Sequence, residues 1–184
     1  MKNLFMACVL ILILVGQSAA VEVAGVQLDQ TVTVQGQLLK LNGYGIRKKF
    51  FAKVYIGSLY ASRRLPTATE ALHDSGGKLI RMVFLHSRVG KEKIIEAFRE
   101  GLANNSPDLT GSPEVKKFLG LFAADFNRGD VVDLILGADG SVAASHNGKA
   151  LGSISSARLD RGVLAIYLGD KPADESLKKG MLGN

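Results

Sequence analysis

Cysteine is almost missing from this sequence, and tryptophan is absent. The single cysteine, Cys8, lies inside an apolar run from Leu4 to Val15. That run follows the basic Lys2 and leads to Ser18-Ala19-Ala20, the order of a secretory signal peptide, with cleavage expected after Ala20. The run is shorter than the ~20 apolar residues of a membrane-crossing helix. Cys8 sits within it, not just behind it where a lipidated cysteine would have to lie. The expected location is therefore periplasmic or secreted. Cleavage takes the only thiol away, which excludes a disulfide-linked partner, a thiolate metal site and a cysteine nucleophile in the mature chain.

Motifs of cofactor enzymes are missing as well. No nucleophile elbow, phosphate loop or dinucleotide fingerprint occurs, and Gly43-Tyr44-Gly45 is too short to count as one. His73, His86 and His146 lack the close spacing of a metal site. Asp125, Asn127, Asp130 and Asp133 are near one another, but no calcium loop with its glycine and terminal glutamate accompanies them, so they read as a helix-exit turn. No metal and no cofactor are expected. The formal charge is +6, one unit of which leaves with Lys2. Basic residues are scattered apart from Arg47-Lys48-Lys49 and Arg63-Arg64. Without tryptophan to stack bases, this pattern argues against a nucleic-acid partner, while attraction to anionic ligands or a membrane surface stays open.

What is present reads as one domain over residues 21–184. Val21 to Leu41 breaks at Gly25, Asp29-Gln30 and Gly36, giving short strands and turns. Tyr44 to Ser62 reads as one long strand. Phe50, Ala52, Val54, Ile56 and Tyr60 share its core face, and Arg47, Lys49, Phe51, Lys53, Tyr55 and Leu59 share a mixed face. Thr67 with Glu70 is a capping-box pattern for a short helix to about Ser75, and Lys78 to His86 is a strand apolar on both sides. Ile94, Ile95, Phe98 and Leu102 mark an amphipathic helix between 90 and 104. Ser112-Pro113 opens another, burying Val115, Phe118, Leu119 and Phe122 and stopping near Asp125.

A three-strand meander follows, over 130–136, 141–145 and 149–153, with turns at Ala138-Asp139-Gly140 and Asn147-Gly148. Ser155 or Ser156 caps a helix that buries Leu159, Val163, Ile166 and Tyr167 and ends at Gly169. Pro172 to Leu182 is a last short helix. Grouped strand and helix blocks predict an α+β fold, an antiparallel β-sheet packed against a layer of helices.

Two segments carry a family likeness. Leu41-Asn42-Gly43-Tyr44-Gly45-Ile46-Arg47 and Phe51-Ala52-Lys53-Val54-Tyr55-Ile56-Gly57-Ser58-Leu59-Tyr60-Ala61 resemble the glycine-x-arginine segment and following strand of the chalcone isomerase family, in particular its bacterial, exported branch. Gly162 to Gly169, followed by Asp174 to Lys179, is similar to the helices that close that fold. Gly129-Asp130-Val131 leading to Asp139-Gly140 resembles its central hairpin. The likeness implies a chalcone isomerase-like fold and carries over Arg47 as a ligand-binding arginine. Where plant isomerases have a threonine this chain has Tyr55, which resembles the family's fatty-acid-binding members, in which an arginine and a tyrosine hold a carboxylate. The stretch Gly90 to Ala97 offers neither the tyrosine nor the asparagine of the isomerases, and Ile166, beside Tyr167, replaces another threonine. Gly90, Ala97 and Ile166 donate no side-chain hydrogen bond to a developing enolate.

The leading expectation is an exported, non-catalytic domain that binds a fatty acid or similar amphipathic carboxylate through Arg47 and Tyr55. The alternatives are an isomerase or intramolecular lyase acting on an unsaturated carbonyl, with Arg47 as electrophile and Tyr55 as proton donor, and a structural or assembly partner in the cell envelope. A straight strand would hold Arg47 and Tyr55 about 26 Å apart at ~3.3 Å per residue, so a shared site needs a turn or bulge at Lys48-Lys49. Otherwise Arg47 is an ion-pair partner and Tyr55 a half-buried strand aromatic.

Overall fold

The β4–β5 hairpin, Gln37–Lys49 paired with Ala52–Ala61, organises this fold. The computed structural model describes residues 20–184; the expected leader, apart from Ala20, lies outside the described residues. The predicted single strand from Tyr44 to Ser62 is thus two strands. Lys49 pairs with Ala52, leaving Phe50 and Phe51 as a two-residue turn. Phe50 takes a φ of 54°. The turn carries no glycine, proline, asparagine or aspartate, the residues that ordinarily announce one, so its two aromatics read as strand. Phe50, expected in the core, is 89% exposed, and Phe51 is 102% exposed.

Around this hairpin the chain builds a seven-stranded antiparallel sheet. β3 (Thr31–Val34) borders β4, and β6 (Lys78–Phe84) borders β5. Beyond β6 come β9 (Val131–Leu136), β10 (Ser141–His146) and β11 (Lys149–Ser155), the expected meander. Burial on both sides of β6 has two causes. Ile80, Met82 and Phe84 enter the main core beneath the helices, whereas Leu79 and Val83 face the other way. There Leu28 packs with Ile56 and Val83, supplied by the small hairpin of β1 (Ala20–Val23) and β2 (Val26–Asp29).

The helices start where their caps predict. Thr67 accepts from Glu70 N–H to open α1 (Ala68–His73), and the hydroxyls of Ser112 and Ser156 open α3 (Pro113–Gly120) and α4 (Ala157–Leu168). α2 (Lys91–Asn105) begins at Gly90, which has no capping side chain. Asp125 supplies one from a distance, its Oδ1 accepting from Lys91 N–H at 3.0 Å. This explains why α3 ends at Gly120 and not near Asp125. The chain turns back so that β8 (Phe126–Asn127) pairs with β7 (Arg88–Val89) and Asp125 reaches the start of α2.

α5 (Glu175–Met181) lies against β4, and the glycines of the segment explain how closely. A Cβ on Gly45 would come within 2.9 Å of Leu177 Cα, and one on Gly43 would meet the Gly180 carbonyl. Gly43-Tyr44-Gly45 therefore serves backbone-to-backbone packing. Asn42, 5% exposed, locks the arrangement. Its amide donates to the carbonyls of Leu65 at 2.9 Å and Met181 at 2.8 Å, and its oxygen accepts from Leu65 N–H at 2.7 Å.

Candidate functional site

Beneath the hairpin lies a cavity of about 720 Å³, within the range of small-molecule sites. Val54 and Met82 line it from the sheet, Ile94, Ala97 and Phe98 from α2, and Ile166 from α4. The inward side chains of α2 shrink from Ile94 through Ala97 to Gly101. Ala97 leaves room on the sheet side, while Gly101 lets Ile166 come so close that an added Cβ would stand 2.7 Å from it. A space remains that the core does not fill.

Three polar side chains converge on this apolar space. Arg47 and Tyr55, eight residues apart in the chain, are opposed across the hairpin as register partners, with a bulge between Arg47 and Lys48. A bulge of this kind re-aims side chains next to a site. Both border the cavity with Tyr167 of α4. Arg47 Nη1 donates to the Ala173 carbonyl at 2.8 Å. Among the described residues no carboxylate lies within 4.0 Å of its guanidinium. The following acid, Asp174, is committed elsewhere: its two oxygens accept from Leu177 N–H at 2.9 Å and Lys48 N–H at 3.2 Å. Arg47 is thus not the ion-pair partner of the alternative reading. Tyr55, 4% exposed, is not half-buried.

Burial sets the protonation of the phenols. It pushes Tyr55 above its ordinary value, against the opposing pull of the Arg47 charge and a hydrogen bond from Tyr167. Tyr167 is pushed well above its own, again first by burial. Its hydroxyl also reaches Met82 Sδ at 3.3 Å, a weak acceptor that a stronger one would displace. Tyr55 packs its ring on Phe84, centroid to centroid 5.7 Å. At neutral pH the inner end of the cavity presents one guanidinium with unused donors and two neutral phenols, a set that hydrogen-bonds an anion; His86, Glu92, Glu96 and Glu100 line the same cavity.

The sequence placed Arg47 and Tyr55 as a candidate pair, and the structure brings them together. It did not assign Tyr167, read only as part of the buried stripe of α4. A phenol on an otherwise aliphatic stripe was the available signal, because a buried hydroxyl needs a partner. Met82, on the strand read as apolar on both sides, was not assigned to the site either. The positions that would need donors for enolate chemistry, Ala97 and Ile166, present only carbon to the cavity.

Comparison with known proteins agrees with this architecture. The chalcone isomerase-like family matches residues 20–183. Fatty-acid-binding protein 1 of Arabidopsis thaliana is 24% identical over 110 residues, which cover 57% of this chain and 39% of that protein. The match thus spans about two fifths of the curated relative. A crystal structure of this same Arabidopsis thaliana protein superposes with a TM-score of 0.62 at 21% identity, covering 84% of this chain and 96% of the other. Fold and family match agree, and the chain belongs to the chalcone isomerase-like family.

Proposed function

We propose that this protein binds a fatty acid, or another apolar ligand headed by a carboxylate, in the cavity under the β4–β5 hairpin and does not transform it. The observation that carries this reading is Arg47, a guanidinium without a carboxylate partner among the described residues, opening with Tyr55 onto an apolar space. Leaving such a charge uncompensated is costly, and a ligand carboxylate relieves that cost through two parallel hydrogen bonds from the guanidinium and another from a phenol. The apolar walls then take the tail. The Arabidopsis thaliana relative found by sequence and by structure, a fatty-acid-binding protein, supports the same ligand class.

An isomerase or intramolecular lyase at this site would need a base in reach of the donors. The phenols beside Arg47 are neutral, so that role would fall to His86 or a glutamate of α2, which line the same cavity, and turnover of an unsaturated carbonyl lost in His86→Gln would favour this alternative. A purely structural role leaves the open cavity without a purpose. Export to the periplasm or medium forms part of the proposal and rests on the leader pattern from Lys2 to Ala20. N-terminal sequencing of the protein recovered from its host checks that cut. The ligand is tested by native mass spectrometry of the host-purified protein and by calorimetry with saturated fatty acids at neutral pH. One bound ligand per chain is expected. Protein that is empty as isolated and gives no binding heat at any chain length would sink the proposal.

A further inference from the structure

Phe50 and Phe51 account for two of the three large hydrophobic side chains left in solvent among the described residues. Phe50 also holds a φ of 54°, a left-handed conformation that glycine, asparagine or aspartate adopts readily in a two-residue hairpin turn and a bulky residue does not. Exposure disfavours both rings, and backbone strain adds to the cost at Phe50. Their position is informative. Lys49, Phe50 and Ala52 border the mouth of the cavity whose inner end holds Arg47 and Tyr55. Lys48, Lys49 and Lys53 flank the rings in full view of solvent, and none is within 4.0 Å of a carboxylate among the described residues. Across the mouth, α2 presents Glu92, Glu96 and Glu100 with Lys93. Unpaired basic charge is therefore concentrated on the hairpin side, while on the helix side the carboxylates are offset by Lys93 and Arg88 and, at Glu96, by an ion pair with Arg99.

We infer that the β4–β5 tip docks this protein onto an anionic lipid surface. The two rings enter the boundary between headgroups and acyl chains, and the three lysines meet lipid phosphates, the pairing of aromatic and basic side chains that suits such an interface. The glutamates of α2, on the opposite rim, are repelled by the anionic surface, so the hairpin side of the mouth rests on the bilayer and the helix side tilts away from it. An amphipathic carboxylate resides in that bilayer, so the docked protein collects or returns its ligand without exposing the tail to water. This last step rests on the proposed ligand; the docking does not.

The test is flotation of the full mature chain with vesicles of phosphatidylcholine alone or mixed with phosphatidylglycerol, in parallel with fatty-acid calorimetry in vesicle-free buffer. Wild type is expected to float with the mixed vesicles and to be released by high salt. Phe51→Ser, whose side chain does not border the cavity, should lower partitioning about tenfold while ligand affinity from solution stays unchanged. Lys48→Gln and Lys53→Gln should each lower it about fivefold on anionic vesicles. Phe50→Asn should weaken flotation and raise the melting temperature, since it relaxes the turn. Wild type that ignores anionic vesicles overturns the inference. So does flotation indifferent to Phe51→Ser, or a concentration-dependent dimer that Phe51→Ser abolishes, which would assign the rings to a second copy of this chain. Flotation without fatty-acid binding leaves the docking in place and removes the ligand; the reverse result does the opposite.

Discussion

Replacing Arg47 with glutamine removes the charge and the paired donors at the inner end of the cavity while keeping a polar side chain on β4. The guanidinium spends one bond on the Ala173 carbonyl, so its remaining donors face the cavity and any carboxylate there. A hydrogen bond to a charged group contributes about 1.5–3 kcal/mol, which converts to a loss of roughly 10- to 150-fold in Kd. The assay is calorimetry at pH 7.5 with a saturated fatty acid and with the alcohol of equal chain length. Wild type should prefer the acid by about the same factor. Arg47→Gln should lose the acid and bind the alcohol as wild type does, with its melting temperature recorded to show that the fold persists. Equal losses for acid and alcohol would mean that Arg47 supports the pocket wall and not the headgroup, and the reasoning would be refuted.

Asn42→Ala leaves three buried backbone groups of Leu65 and Met181 without partners; chemical denaturation should report a loss of roughly 3 kcal/mol. Ala97→Phe places a ring in the cavity; long-chain ligands should be excluded by at least about tenfold, read by displacement of a fluorescent fatty acid, with circular dichroism unchanged. Asp160 is pushed up to about 6 by burial, against the opposing charges of Lys78 and Arg161, and its Oδ1 has no hydrogen-bond partner among the described residues. Because the folded value lies above the unfolded one, stability is full below about pH 4 and falls as pH rises through 6. Asp160→Asn should therefore melt higher at pH 7.5, by roughly 1 kcal/mol after discounting its partial contact with water, and match wild type near pH 3.5. Equal melting at both pH values would contradict this.

Most helix boundaries were legible because they rest on local chemistry: Thr67, Ser112 and Ser156 cap the helices their spacing predicted. The meander was legible through Asp139-Gly140 and Asn147-Gly148, whose glycines adopt positive φ. The turn at Phe50-Phe51 was hidden because its conformation is imposed by pairing over the whole length of β4 and β5, and its residues carry no turn chemistry. The separation of Arg47 and Tyr55 depended entirely on that turn. A straight chain would hold them far apart, and the hairpin sets them opposite one another. The role of Gly43 and Gly45 was equally illegible, since the partner that requires their missing side chains, α5, lies more than 130 residues further along the chain. Tyr167 shows a different limit. Its period marked it as buried, but which hydroxyls and sulfur it meets depends on how α4 crosses the sheet.

The central claim is that a carboxylate sits at the inner end of the cavity with its tail along the apolar walls, and a crystal structure with a bound saturated fatty acid tests it most directly. The account predicts carboxylate oxygens about 2.7–3.2 Å from Arg47 nitrogens and the Tyr55 hydroxyl, with the tail against Met82 and Phe98. A carboxylate at the mouth beside Lys49 or Lys93, with the tail pointing inward past Arg47, would contradict it.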